Sequence, residues 1–276
     1  MAEFYKGDIP ILDDSRPADR DVLFNPKQTF GLVERDYSTD PEPMFAPPGD
    51  MKLYDPSEDD ARYDEQEELQ SSLEHIFLGK AGNPEFVNLD QNGQGYCWSY
   101  STGHAMMLDR LKRGLKPVRF NPHAAAAILK GGRDEGGWCG LSAQFAREVG
   151  YAEEGKGLGK WPLHSRDLRN DTPTLRAEMA KYKTVEDWFD LTRQAYNQEM
   201  TERQLATCGF NNIPCPSDFN WWGHSVCQVR WVRISAGNWG PLILNSWKGW
   251  GRFGLAVLQG SKRTSTGALG IRATAA

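Results

Sequence analysis

Apolar positions organise the chain from about residue 97 onward. Tyr100, His104, Met107, Leu108 and Leu111 recur at i, i+4, i+7, i+8 and i+11, one face of a helix that begins at Cys97. Asn121 and Pro122 supply a cap and a first-turn residue for a second helix through residues 124–129 to Gly131. A third is expected over 141–149, ending at Gly150. Thr184 stands three residues before Asp187, a capping-box spacing that predicts a helix from there, interrupted, to Gly209. Beyond His224 the period changes to two. Cys227, Val229 and Trp231 alternate with Gln228 and Arg230, and residues 241–247 and 253–258 read as two further strands. Helices followed by antiparallel strands predict an α+β fold of two lobes.

The N-terminal third is different. Residues 1–50 hold seven prolines and keep neither hydrophobic period, so they are expected to be extended. Residues 57–79 suit one helix, with Ser57 as cap, acids in its first turns and Gly79 at its end. Residues 1–80 are thus read as an extension, a tether or a pro-segment, and 81–276 as the body.

Composition is that of a globular protein, with ten Trp among 276 residues. The net charge of −5 conceals an asymmetry: residues 1–80 carry 20 acids and 8 bases, the remainder 17 and 24. Opposite charges of this size leave two readings, a solvated acidic tail or an acidic segment lying on a basic body. No apolar run reaches eighteen residues, so no membrane span is expected. The first residues lack the basic-then-apolar order of a secretory signal, which places synthesis in a cytosol, with incorporation in a particle as the alternative. Five cysteines without such a signal are expected as free thiols. No CxxC pair, nucleotide loop, flavin motif or basic aromatic-laced stripe is present, so no metal, cofactor, nucleic acid or membrane partner is expected.

Three segments carry chemistry. In DQNGQGYCWSYS (90–101) a Gly-rich loop delivers Cys97 to a helix start, where unpaired N–H groups and the helix dipole favour a thiolate. A lone cysteine is more often structural; the Gly-Gln-Gly approach shifts that balance. In NWWGHSVCQV (220–229), His224 follows Gly223 at a loop-to-strand junction and can present one ring nitrogen to a thiol. In LNSWKGWGRFG (244–254), Asn245 can accept the other imidazole N–H and Trp247 can shield that bond. His75, His104, His123 and His164 are read as structural.

Taken in order, these segments resemble the papain family of thiol proteases, in a disulfide-poor branch of bacterial or phage type. The family reads Q-G-x-C-G-S-C-W-A-F-S around its nucleophile; Cys97, Trp98, Tyr100 and Ser101 match the end of that pattern. The resemblance implies that Gln91, six residues before Cys97, donates to an oxyanion, and that Gly136 and Gly137 pair with substrate backbone beside Trp247. It covers about residues 85–260. Departures are clear. Gln94 replaces a cysteine that the family bonds to a partner near its Gly-Gly, where Asp134 and Glu135 stand here. The loop after Asn-Ser-Trp is one residue shorter, 167–209 has no close match, and no family propeptide motif is recognisable in 1–80.

The expected function is therefore thiol-dependent cleavage of peptide bonds in a peptide or protein substrate. A second reading makes the domain a structural component of an assembly such as a viral particle, bound to other chains through residues 1–80. A cell-wall peptide amidase would share the Cys and His placement, and a transglutaminase-like enzyme would use Asp where Asn245 stands.

Overall fold

A computed structural model describes residues 3–25, 27–35, 52–79, 83–155, 164–184, 188–191 and 198–271. The chain opens with β1 (Glu3–Tyr5), β2 (Ile9–Asp13) and α1 (Pro17–Leu23). After a 3-10 turn at Pro56–Glu58 come α2 (Asp59–Glu68), α3 (Leu73–Leu78) and the short α4 (Pro84–Val87). The helical lobe is built from α5 (Cys97–Lys112), α6 (Pro122–Leu129) and α7 (Cys139–Glu148). A second 3-10 turn, Leu168–Asn170, precedes α8 (Pro173–Ala180), β3 (Trp188–Asp190) and α9 (Gln198–Phe210). The chain then forms β4 (Cys215–Phe219), β5 (His224–Ser235), β6 (Asn238–Leu244), β7 (Leu255–Gln259) and β8 (Gly267–Ile271). The strands lie in one sheet, in the order β1-β2-β7-β6-β5-β4-β8-β3. Helical lobe and sheet give the expected α+β class.

The three helices of the first half and the strands β5, β6 and β7 lie where the patterns put them, whereas β4 and β8 were not foreseen. Asn121 caps α6 by accepting the Ala124 N–H at 3.1 Å. Helix α5 is buried from Cys97 to Asp109 because it runs between α7 and the sheet. Three expectations need correction. The segment 57–79 breaks at Gln70, whose φ is +50°, and restarts where the Ser72 hydroxyl accepts the His75 N–H. Residues 1–50 are not uniformly extended: β2 joins the sheet edge parallel to β7, and α1 packs on β2. The helix expected from Thr184 to Gly209 is found only in its last part, as α9; the Thr184 N–H donates to the Ala146 carbonyl at 3.0 Å, and residues 188–190 are a strand. Asp187, the expected partner of Thr184, lies outside the described residues. Helix α8, unforeseen in the sequence, is capped by the Thr172 hydroxyl accepting Leu175 N–H.

Strand β5 alternates apolar and polar residues, yet both faces are buried. Helices α5 and α9 are its main helical neighbours, with α2 and α3 beside it. Its inward-facing polar residues are consequently partnered. Gln228 donates to the Leu205 carbonyl at 2.8 Å. The Arg230 guanidinium, fully buried, donates to Gln66 on α2 and Glu74 on α3 at 3.0 and 2.7 Å, and also to Glu67. Arg233 pairs with Asp60 and Asp64, and Arg203 with Asp59. The acidic 57–79 segment is thus bound to basic residues of the body, the second of the two readings the charge asymmetry left. The five cysteines are free. Among the described residues, no helix is long and apolar enough to cross a membrane.

Candidate active site

Cys97 is the first residue of α5 and His224 the first of β5, so two elements each deliver one end to the same place. The contact is tight. The Ser225 N–H reaches the Cys97 sulfur, and the Ser101 and Ser225 hydroxyls are 2.8 Å apart. His224 Nε2 lies 2.8 Å from Asn245 Oδ1, which fixes the imidazole and leaves Nδ1 as its other nitrogen. Nδ1 makes no hydrogen bond. The Trp247 ring stacks on the imidazole at 4.3 Å and 29°, and Trp222 meets it edge-on at 4.8 Å while touching Trp247. Both tryptophans keep water from the His224–Asn245 bond. These positions follow from the local sequence: Asn245 directly succeeds β6, and Gly223, with φ of +66°, turns the chain into β5.

Gln91 belongs to the same network through Ser246. The Ser246 hydroxyl donates to Gln91 Oε1 at 2.6 Å, the Gln91 N–H donates to the Ser246 carbonyl at 2.9 Å, and the Ser246 N–H donates to Asn245 Oδ1 at 2.7 Å. Ser246 therefore fixes the Gln91 amide so that its NH2 points away from the serine. Sequence reasoning gave Ser246 no role; its place between Asn245 and Trp247 was the available signal. The loop before Cys97, where a disulfide is missing, is tied instead by polar bonds. Asp134 Oδ1 accepts the Gly95 N–H at 2.7 Å, and the Tyr96 hydroxyl donates to the Arg133 carbonyl at 2.6 Å. His104, on the buried face of α5, accepts the Leu89 N–H and so holds the strand of chain leading to Gln91.

Gly136 and Gly137 lie across the cleft on the helical lobe. A side chain at Gly137 would stand 2.7 Å from the Trp98 ring, so its backbone can reach the cleft only as glycine. That backbone is engaged by the chain's own N-terminal arm. The Gly137 N–H donates to the Gly31 carbonyl and the Val33 N–H donates to the Gly137 carbonyl, both at 2.9 Å, in a parallel bridge. On the opposite wall the Leu32 N–H donates to the Gly223 carbonyl at 3.0 Å. The Gln91 amide donates to the Thr29 carbonyl at 3.0 Å, and the Gly31 N–H reaches the Cys97 sulfur. Phe30 meets Trp247 edge-on at 5.5 Å and His224 at 6.0 Å. Every expected site residue thus converges on one cleft, and residues 29–33 fill it.

Burial sets the protonation of the covered pair. It pushes the Cys97 thiol up to about 12 and the His224 imidazole down to about 3, although backbone N–H groups from Ser225 and Gly31 favour the thiolate and the Asn245 bond favours the charged imidazole. Under the arm the pair is neutral thiol and neutral imidazole.

A Cys at a helix start and a His at a strand start brought to one cleft, between a helical lobe and a largely antiparallel sheet, is the architecture of papain-like cysteine proteases, and the solved structures agree. Procathepsin B S9 from Trypanosoma congolense superposes with a TM-score of 0.58 at 14% identity, over 92% of this chain and 89% of that one. Xylellain, a cysteine protease from Xylella fastidiosa, superposes with a TM-score of 0.56 at 13% identity, over 89% and 97%. Digestive procathepsin L 3 of the Tenebrio molitor larval midgut gives 0.50 at 17% identity; the match spans 66% of this chain and 64% of that protein. The chain has the papain-like fold. No protein-family model matches the sequence, and no curated protein matches it.

Proposed function

We propose that this chain is a thiol peptidase whose cleft is closed by its own residues 29–33. The observation that carries the catalytic part is the fixed imidazole: Nε2 on Asn245 under Trp247, with the Cys97 helix start against Ser225. In the open cleft, His224 takes the thiol proton and the Cys97 sulfur attacks the peptide carbonyl carbon. The Gln91 amide and the Cys97 N–H hold the resulting oxyanion. The imidazolium then protonates the leaving amine, leaving a thioester. His224 next deprotonates a water, which attacks that carbonyl; the acid departs and the proton returns to the thiol. Asn245 orients His224 throughout, and Gly136–Gly137 and Trp247 border the substrate.

The arm occupies this cleft as an inhibitor rather than a substrate. It sets the Gly31 N–H, a donor, against the sulfur, while the Thr29 carbonyl takes up the Gln91 amide that an oxyanion needs. Gly31 is required for this fit, because a Cβ there would lie 2.0 Å from the Gly95 carbonyl oxygen. Gly31→Leu must therefore lift the arm while leaving the body intact.

The test is intact-mass analysis of the full chain after treatment with a broad epoxysuccinyl inhibitor. Gly31→Leu is expected to gain one adduct on Cys97 at least about tenfold faster than the unmodified chain, and Cys97→Ala to gain none. A folded Gly31→Leu protein that gains no adduct sinks the peptidase reading. Equal labelling of both chains sinks the inhibitory role of the arm alone.

A further inference from the structure

Beyond Val33 the arm leaves Gly137, keeps Glu34 exposed and turns Arg35 inward. Arg35 and Asp190 form an ion pair at 2.7 Å with side chains only 7% and 1% exposed. The guanidinium also lies over the Trp138 ring at 4.7 Å. Arg35 lines one small cavity together with Trp138, Cys139, Asp190, Asp218 and Ala268. Asp218, buried on β4, accepts the Cys139 N–H at 3.0 Å and adds a second carboxyl to the floor. The recess directly adjoins Gly136–Gly137 through Trp138, so it lies within one or two residues' reach of any peptide paired there.

A carboxyl buried in a recess, as Asp190 is, is costly when no cation meets it, since removing one partner of a buried pair leaves an uncompensated charge. The planar aromatic face beside Asp190 suits a guanidinium, which stacks and donates at once. We infer that the recess of Trp138, Asp190 and Asp218 is a specificity pocket for a basic side chain of the substrate, arginine above all, and that Arg35 is the chain's own mimic of it. This rests on the peptidase reading for its consequence in catalysis, but binding to the recess can be measured without catalysis.

The full chain carrying Gly31→Leu and Arg35→Ala vacates both cleft and recess. With Cys97→Ala added, it is titrated by fluorescence anisotropy with a labelled peptide of residues 28–36 and with the same peptide bearing norleucine for arginine. The arginine peptide is expected to bind about tenfold more tightly, and Asp190→Asn to erase the difference. Equal binding, or a preference untouched by Asp190→Asn, overturns the pocket. The variant retaining Cys97 is then given peptides in which one arginine is walked along a neutral sequence. Cleavage favoured about tenfold by arginine at one position, and levelled by Asp190→Asn with neutral peptides still cut, supports the pocket as a specificity site. Cleavage indifferent to arginine overturns it and leaves the peptidase reading standing. No cleavage at all, with the binding preference intact, sinks the peptidase reading and keeps the pocket. Arg35→Ala also removes the guanidinium paired with the buried Asp190, so Arg35→Ala with Asp190→Asn is melted alongside; recovery of a lowered Tm in that double variant supports burial of an ion pair in the recess, and no recovery counts against it.

Discussion

At the scale of single residues, the site is a chain of oriented hydrogen bonds in which each group fixes the next. Asn245 Oδ1 accepts from both His224 Nε2 and the Ser246 N–H, and the Ser246 hydroxyl holds Gln91. Asn245→Ala would leave Trp247 stacked on the imidazole but free the ring to rotate, so kcat/KM of the arm-displaced protein should fall about 10- to 100-fold, with KM little changed. Gln91→Ala removes a developing-charge donor and should lower kcat by about 10²–10³. Steady-state kinetics on a fluorogenic peptide checks both; an Asn245→Ala enzyme with full kcat would remove that residue from the mechanism. Asp218 makes a separate point. Burial raises its carboxyl to about 6, so its contribution to stability is fully present below its ordinary value near 3.8 and is lost as pH rises through about 6. Asp218→Asn should therefore gain stability over the unmodified chain at pH 7 and not at pH 4, as read by urea midpoints.

At the scale of elements, two junctions decide the architecture. One is β5 against α2 and α3, where Arg230 is enclosed by Gln66, Glu67 and Glu74. Truncating it to Met strands the buried Glu74 and should cost about 3–5 kcal/mol, measurable by chemical denaturation. A loss below about 1 kcal/mol, the range of a surface pair, would show that the acidic segment is held by other contacts. The other junction is the arm, which Trp222 anchors by donating from its indole to the Leu23 carbonyl at the end of α1. These junctions also mark where the sequence was legible. The α5, α6 and α7 helices and the β5–β7 strands were readable because cap and period lie within one element. The break at Gln70–Ser72 was not, because 57–79 has no apolar stripe; the Leu73 N–H and the Ser71 carbonyl are bound there by Asn212, some 140 residues away. Helix α8 was missed because only its cap and Pro173 signalled it.

At the scale of the whole molecule, folding hides titratable groups that the cleft needs exposed. Burial lowers His104, His123 and His224 to about 3. A histidine with a depressed folded pKa gives stability present above its ordinary value near 6.5 and lost as pH falls from there toward 3. Three such groups outweigh the opposite trend of Asp218, so the urea midpoint should drop between pH 7 and pH 4.5; an unchanged or rising midpoint would contradict this burial. For His224 the same linkage favours the arm-displaced state, in which the imidazole is solvated, so acid should also increase proteolytic sensitivity around residues 27–35. By itself the sequence determined the helix start that carries Cys97, the strand start that carries His224, the Asn-Ser-Trp segment after β6 and the surplus of acid in the first 80 residues. All of these are encoded over a few neighbouring residues, where caps, glycines and hydrophobic period act. Only the tertiary structure decided that Gly31 lies against Gly95 and Cys97, that Ser246 joins Gln91 to Asn245, and that Arg35 meets Asp190 across 155 positions. Such contacts have no local signature, because they exist only once two lobes and an arm have closed on one another.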